Sequence, residues 1–211
     1  VMTRLPIECK RSDTHAWVFF TRPKATPPGF GNGQTLDFLE VFSKGKKTFL
    51  DELDVLSRAG KLHYDGFNRL AHTYAEVKFQ GQPSEKREIF EASNQLMKYT
   101  AYEVQKESEG IAGDASNRNV LFLFPAIAFD GMLYEAVIKG GKMRLLKRTH
   151  ILLETKRYSK STGNISSYLI DVVSKTVFPQ YLKSLNEDIE TIRHFFSSNE
   201  EKLAEKADLY I

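Results

Sequence analysis

Two apolar runs stand close together near the start of the chain. Leu5–Lys10 and Trp17–Thr21 have the length and pattern of strands, and the polar residues Arg11–His15 between them read as a turn. Residues 22–34 hold three prolines and three glycines and form a loop. From Thr35 to Leu56, apolar residues at 36, 38, 39, 42, 49, 50, 53 and 56 follow helical spacing, interrupted near Gly45. Residues 57–82 show no clear period. A long helix is expected from Ser84 to Glu109. Ser84 can cap it, Glu85 and Glu88 suit its positive end, and Phe90, Met97, Ala101 and Val104 form its apolar stripe.

The pattern changes after residue 119. Val120–Phe129 is apolar enough for a strand buried on both faces, and Asp130-Gly131 is a natural turn dipeptide after it. Met132–Ile138 and Met143–Leu146 flank Lys139-Gly140-Gly141-Lys142, a hairpin signal. His150–Tyr158 and Tyr168–Val173 are further strands, separated by the polar loop Ser159–Asn164. Ser174 can cap a last helix with apolar residues at 178, 181, 182, 185, 189, 192 and 196, and a charged tail follows from Ser197. Strands, a helical middle, strands again and a helix predict an α/β domain. No Gly-rich loop opens a helix after a strand, which argues against a P-loop or dinucleotide fold.

Composition adds little to this picture. The 211 residues are 41% hydrophobic and 27% charged, ordinary for a globular chain. Cys9 is the single cysteine, so no disulfide forms within the chain and a reducing cytoplasm is the expected compartment. No apolar run reaches the ~20 residues of a membrane span. A net charge of +3 permits nucleic-acid binding without demanding it.

Candidate chemistry begins with Glu8 and Lys10. Side chains alternate on a strand, so these two share a face, and Cys9 is expected to point the other way into the core. Charges beside an apolar run need a reason. A carboxylate can hold a divalent cation, and an adjacent ammonium can stabilise charge on a phosphate or an attacking water, the minimum for metal-assisted phosphodiester hydrolysis. Gln95 and Tyr99 share one helix face, nearly opposite the apolar stripe, where they meet a cleft or solvent. Glu-x-Lys recurs at Glu76/Lys78, Glu154/Lys156 and Glu200/Lys202, and Asp130 ahead of Glu154 and Lys156 makes a rival acid–acid–lysine set. His15, His63, His72, His150 and His194 lack paired metal spacing and read as surface or capping residues. Lys139, Lys142, Arg144, Lys147 and Arg148 read as a solvent-facing hairpin or a phosphate-contacting ribbon.

The run Pro6-Ile7-Glu8-Cys9-Lys10 resembles the second half of the PD-(D/E)xK nuclease motif, and Gln95-Leu96-Met97-Lys98-Tyr99 resembles the Q-x-x-x-Y helix motif of its RecB-like branch. Phe124–Phe129 before Asp130-Gly131, and Leu169–Val173, resemble later strands of uncharacterised members. The resemblance implies a restriction-endonuclease-like fold: an α/β domain with a central mixed β-sheet flanked by helices, spanning 1–211 as one domain with a helical insertion across residues 22–82. It implies a Mg²⁺-dependent nuclease acting on DNA, with RNA as the other candidate. Glu8 and the Cys9 main-chain carbonyl would bind metal, Lys10 would position the attacking water, and Gln95 and Tyr99 would support the site. In that superfamily an Asp precedes the Glu by about one hairpin, and none of the seven residues before Glu8 is Asp. The chain is therefore expected to be incomplete at its N-terminus and, as given, to hold metal poorly. Two other readings stand beside the nuclease: a non-catalytic nucleic-acid-binding or assembly module, and a homodimer built on the helix from Ser174 to Ser197.

Overall fold

The computed structural model describes residues 2–23, 62–79, 87–113, 121–158 and 165–201. The expected helix over 35–56, the Ser84 cap and the loop Ser159–Asn164 lie outside the described residues. Eight strands are described: β1 (Met2–Arg4), β2 (Ile7–Pro23), β3 (Arg69–Lys78), β4 (Leu121–Leu123), β5 (Ala126–Lys139), β6 (Lys142–Lys147), β7 (His150–Tyr158) and β8 (Ile165–Ser174). Two α-helices accompany them among the described residues, α1 (Glu88–Gly113) and α2 (Phe178–Ser198).

The strands run in the order β2-β3-β7-β8-β5, and β5 pairs back onto β2. That closes a five-stranded barrel, with β6 extending outward from β5. β2, β5 and β8 run parallel to one another; β3 and β7 run the opposite way and meet at Ala71 beside Leu153. The protein is thus mostly β and closed. The expected α/β fold, an open restriction-endonuclease-like sheet flanked by helices, is corrected.

Three local readings account for the error. Arg11–His15 is not a turn: β2 continues through it as one strand of 17 residues. From Arg11 to Ala16 it carries three residues more than the facing stretch of β5, a bulge in which the His15 N–H donates to the Ser12 hydroxyl at 3.1 Å. Asp130-Gly131 also lies inside a strand, because β5 runs unbroken from Ala126 to Lys139. Arg69–Lys78, within the expected insertion, is a barrel strand pairing with β2. Lengthened strands and one additional strand supply enough edges to close the sheet.

Prolines mark a shared break on the parallel pair. Between Arg4, which faces Leu123, and Ile7, which faces Ala126, each strand has two residues, Leu5-Pro6 and Phe124-Pro125. Proline has no N–H to donate, so the prolines return no bond here, yet Phe124 N–H donates to Arg4 O and Ala126 N–H to Pro6 O, both at 3.0 Å, and carry the pairing across the break. The single strand expected over Val120–Phe129 is therefore β4 and the start of β5.

Two apolar clusters divide the interior. One joins Trp17, Phe19, Ile127, Phe129, Leu133, Ile151, Leu153 and Ile170 to Ile89, Ala92 and Leu96 of α1. Trp17 stacks on Phe129 at 3.8 Å between ring centres. The other sets Tyr181, Leu185, Ile192 and Phe196 of α2 against Phe122, Phe124, Leu152 and Val173. Most of the apolar face of α2 packs within the chain, while Leu182 of that set is exposed. Ser174 makes no side-chain cap; a short 3₁₀ turn, Lys175–Val177, precedes α2 instead. On α1 the buried residues include Ile89, Ala92, Ser93, Leu96, Met97, Thr100 and Glu103, whereas Phe90 is exposed. The true stripe is rotated by about one position from the expected one.

Candidate functional site

Glu8 and Lys10 pair with Ile127 and Phe129 across the parallel ladder, and both of these partners are fully buried. Paired residues project to the same side, so the acid and the ammonium look toward the barrel interior. They keep each other company there: Lys10 Nζ lies 3.3 Å from Glu8 Oε1, and both side chains retain only about a quarter of their exposure. The shared face expected for the two is observed. Its sidedness differs: Cys9, expected in the core, is exposed. The bulge explains this. Three extra residues shift the alternation by an odd number, so even-numbered Lys10 and odd-numbered Trp17 both face inward, and Cys9 is left outside.

Gln95 comes from α1 to the same point. With its amide nitrogen turned toward the strand, it donates to both carboxylate oxygens of Glu8, at 2.8 and 3.0 Å. Glu8 therefore has an ammonium and an amide as neighbours from two different elements. Tyr99, one turn further along α1, is exposed, and no contact between it and Glu8 is seen among the described residues. Arg4 of β1 forms an ion pair with Glu103, which helps fix α1 across this end of the barrel.

The rival acid–acid–lysine set is dispersed. Asp130 bonds to Lys175 at 2.9 Å, and this contact holds its carboxyl below the ordinary range. Glu154 pairs with His72 at 2.7 Å on a different strand, and Lys156 is exposed.

Two further polar centres were not anticipated from the sequence. Asp171 is completely buried on β8 and accepts from His150 Nε2 at 2.7 Å, His63 Nε2 at 3.1 Å and the Tyr181 hydroxyl at 3.1 Å. His63 also meets Asp188 of α2, whose carboxylate accepts its main-chain N–H at 3.1 Å. Burial opposes charge on both partners, yet the mutual bonds win: His63 is raised to about 9 and Asp171 lowered to about 2. His63 and His150 are thus neither surface nor capping residues. The available signal was an acid inside the apolar run Leu169–Val173. At the other inward end of β5, buried Glu135 accepts from Thr21 Oγ1 at 2.5 Å, Arg69 Nε at 3.0 Å and Arg148 Nε at 2.7 Å. Burial disfavours its charge, but these donors keep its carboxyl below the ordinary range. It borders a pocket of about 200 Å³ lined by Phe67, Asn68, Arg69, Arg148 and His150 among others.

Among the described residues no group of three or more His, Cys, Asp or Glu is arranged to hold a metal ion. The Glu8 carboxylate is met by the Lys10 ammonium at 3.3 Å and, with the amide turned toward the strand, by the Gln95 nitrogen on both oxygens. The expected Mg²⁺ set, Glu8 with the Cys9 main-chain carbonyl, would offer hard oxygen donors, and it is not assembled as a metal cage among the described residues. Among the described residues no helix is long and apolar enough to cross a membrane. The chain matches no family model, and comparison with curated proteins and with solved structures found no match.

Proposed function

We propose that this chain hydrolyses phosphodiester bonds of nucleic acid, DNA first, with Mg²⁺ as cofactor. The observation that supports the reading is the convergence of partly buried Glu8 and Lys10 on a strand with the exposed Gln95 of a helix. Glu8 and the Cys9 carbonyl would hold the cation, which supplies Lewis acidity and lowers the pKa of a bound water. The remaining work falls to this chain's own side chains. Lys10, held beside the carboxylate, carries a fixed positive charge that stabilises negative charge developing on the phosphate or on the attacking water. Gln95 fixes the orientation of the Glu8 carboxylate through two hydrogen bonds, so that little reorganisation is needed when the phosphate arrives. The exposed Cys9 takes no part through its thiol.

The test is cleavage of supercoiled plasmid and single-stranded DNA with Mg²⁺ or with a chelator, using wild type and Glu8→Gln. Cleavage that needs Mg²⁺ and falls by about 100-fold or more in the variant is the expected result. One observation favours a second reading, a binding module without chemistry: two donors already meet the Glu8 carboxylate, and no group of three or more His, Cys, Asp or Glu is arranged to hold a metal among the described residues. Binding without cleavage under any metal would select that reading.

A further inference from the structure

The hairpin of β5 and β6 leaves the barrel. β5 pairs with β8 up to Phe129 and with β2 up to Ala136; beyond that its sole described neighbour is β6. Its tip is Gly140-Gly141, with φ of 60° and 71°, the backbone of a tight two-residue turn that glycine adopts without strain. Every residue of β6 is exposed.

An isolated two-stranded ribbon is marginal in water, and this one carries features that weaken it further. Lys139 faces Lys142 directly, a like-charge pair. Arg144 and Lys147 follow, residues 139–148 contain no acid, and none of these four cations makes an ion pair among the described residues. Ile138 and Met143 face each other near the tip at 80% and 62% exposure, and Leu145 shares their side. A charged, apolar-tipped ribbon is a cost to the free protein that a polyanionic partner would offset.

We propose that this hairpin docks in the major groove of double-stranded DNA: Ile138, Met143 and Leu145, which share one face with Lys147, turn toward base edges, while Lys139, Lys142 and Arg144, on the opposite face, reach round the ribbon's edges to the flanking phosphates. Charge selects a polyanion and rejects a second copy of the chain, whose matching edge would bring four more cations against these. Shape selects B-form DNA, whose major groove admits a two-stranded ribbon, over duplex RNA, whose major groove is too narrow for side chains to read. Where the inference touches the hydrolytic centre, it rests on the function proposed above. The ten residue steps of β5 from Phe129 to Lys139 extend at most ~33 Å, about one turn of duplex. The hairpin would then hold DNA within one helical turn of the bond to be cut.

The test is fluorescence anisotropy with a labelled DNA duplex about two turns long, in chelator, over a series of salt concentrations. Wild type is compared with Lys142→Gln/Arg144→Gln/Lys147→Gln, whose side chains are all exposed, and circular dichroism checks its folding. The expected result is a loss of tenfold or more in affinity, with the log–log salt slope shallower by about 2–3, near 0.9 for each phosphate contact removed. Equal affinity and slope in the variant overturns the proposal. So does equal binding of duplex RNA, or binding of anionic phosphatidylserine vesicles in place of DNA. Wild type that binds DNA but does not cut it once Mg²⁺ is added would sink the hydrolase and leave the hairpin standing. Cutting that survives unchanged in the triple variant would do the reverse.

Discussion

Gly131 sits where a methyl group would lie 2.4 Å from the tip of the Phe129 ring. That ring cannot retreat easily, since it is fully buried and stacked on Trp17. Gly131→Ala is expected to destabilise the fold by about 1–3 kcal/mol, the usual cost of overfilling a close-packed interior, measured by urea denaturation. An unchanged midpoint would show that the stack yields. The glycine was legible in the sequence, but as half of a turn; its actual requirement is space beneath an aromatic ring two residues away. The shared face of Glu8 and Lys10 was equally legible, because alternation follows from strand geometry alone. Which face looked inward was not, since that depends on the bulge at Arg11–Ala16 and on Ile127 and Phe129 more than a hundred residues away. Gln95 stands out through the resemblance of its helix run to the Q-x-x-x-Y motif, and with its amide nitrogen turned toward the strand its bonds to Glu8 bring helix and strand together. Tyr99 shares the spacing without an observed bond to Glu8.

The start of α1 is held by a residue from another strand. Glu76 of β3 is buried, and its Oε1 accepts the Ile89 N–H at 2.9 Å. A carboxylate there satisfies an orphan donor and meets the positive end of the helix macrodipole. Glu76→Ala is expected to cost about 1–2 kcal/mol, with Glu76→Gln recovering part of it because the acceptor remains. Equal loss in both variants would assign the effect to charge, and no loss would remove the capping role. In the sequence Glu76 stood out merely as one more Glu-x-Lys pair. The hairpin around Gly140-Gly141 and the strand His150–Tyr158 were read correctly, since turn chemistry and periodicity act locally. β3 escaped notice because Arg69–Lys78 mixes small, polar and aromatic residues on both faces, and its strand character comes from pairing with β2.

The barrel and α2 are joined through the network of Asp171, His63, His150, Tyr181 and Asp188, which gives the fold a pH dependence. His63 is raised to about 9, so its contribution to stability is complete below the unfolded value near 6.5 and is lost as pH rises toward 9. Asp171 is lowered to about 2, so its contribution is complete above the unfolded value near 3.9 and is lost as pH falls toward 2. Together they predict greatest support from this network between about pH 4 and 6.5. The urea midpoint should fall from pH 6.5 to 9 in wild type and fall less in Asp188→Asn. A flat wild-type profile over that interval would contradict the network's role. Closure of the barrel was the least legible feature of all. It requires β5 to pair with β2 and β8 at once, and β3 to meet β7, contacts between segments far apart in the chain that no local pattern encodes.

The functional account turns on Lys10, whose charge is placed beside Glu8 by the strand that carries both. Single-turnover cleavage of DNA in Mg²⁺, comparing Lys10→Ala with Lys156→Ala in parallel, tests it most directly. The account predicts a rate lower by about 100-fold or more for Lys10→Ala and a wild-type rate for Lys156→Ala. Full activity in Lys10→Ala, or its loss in Lys156→Ala alone, would contradict it.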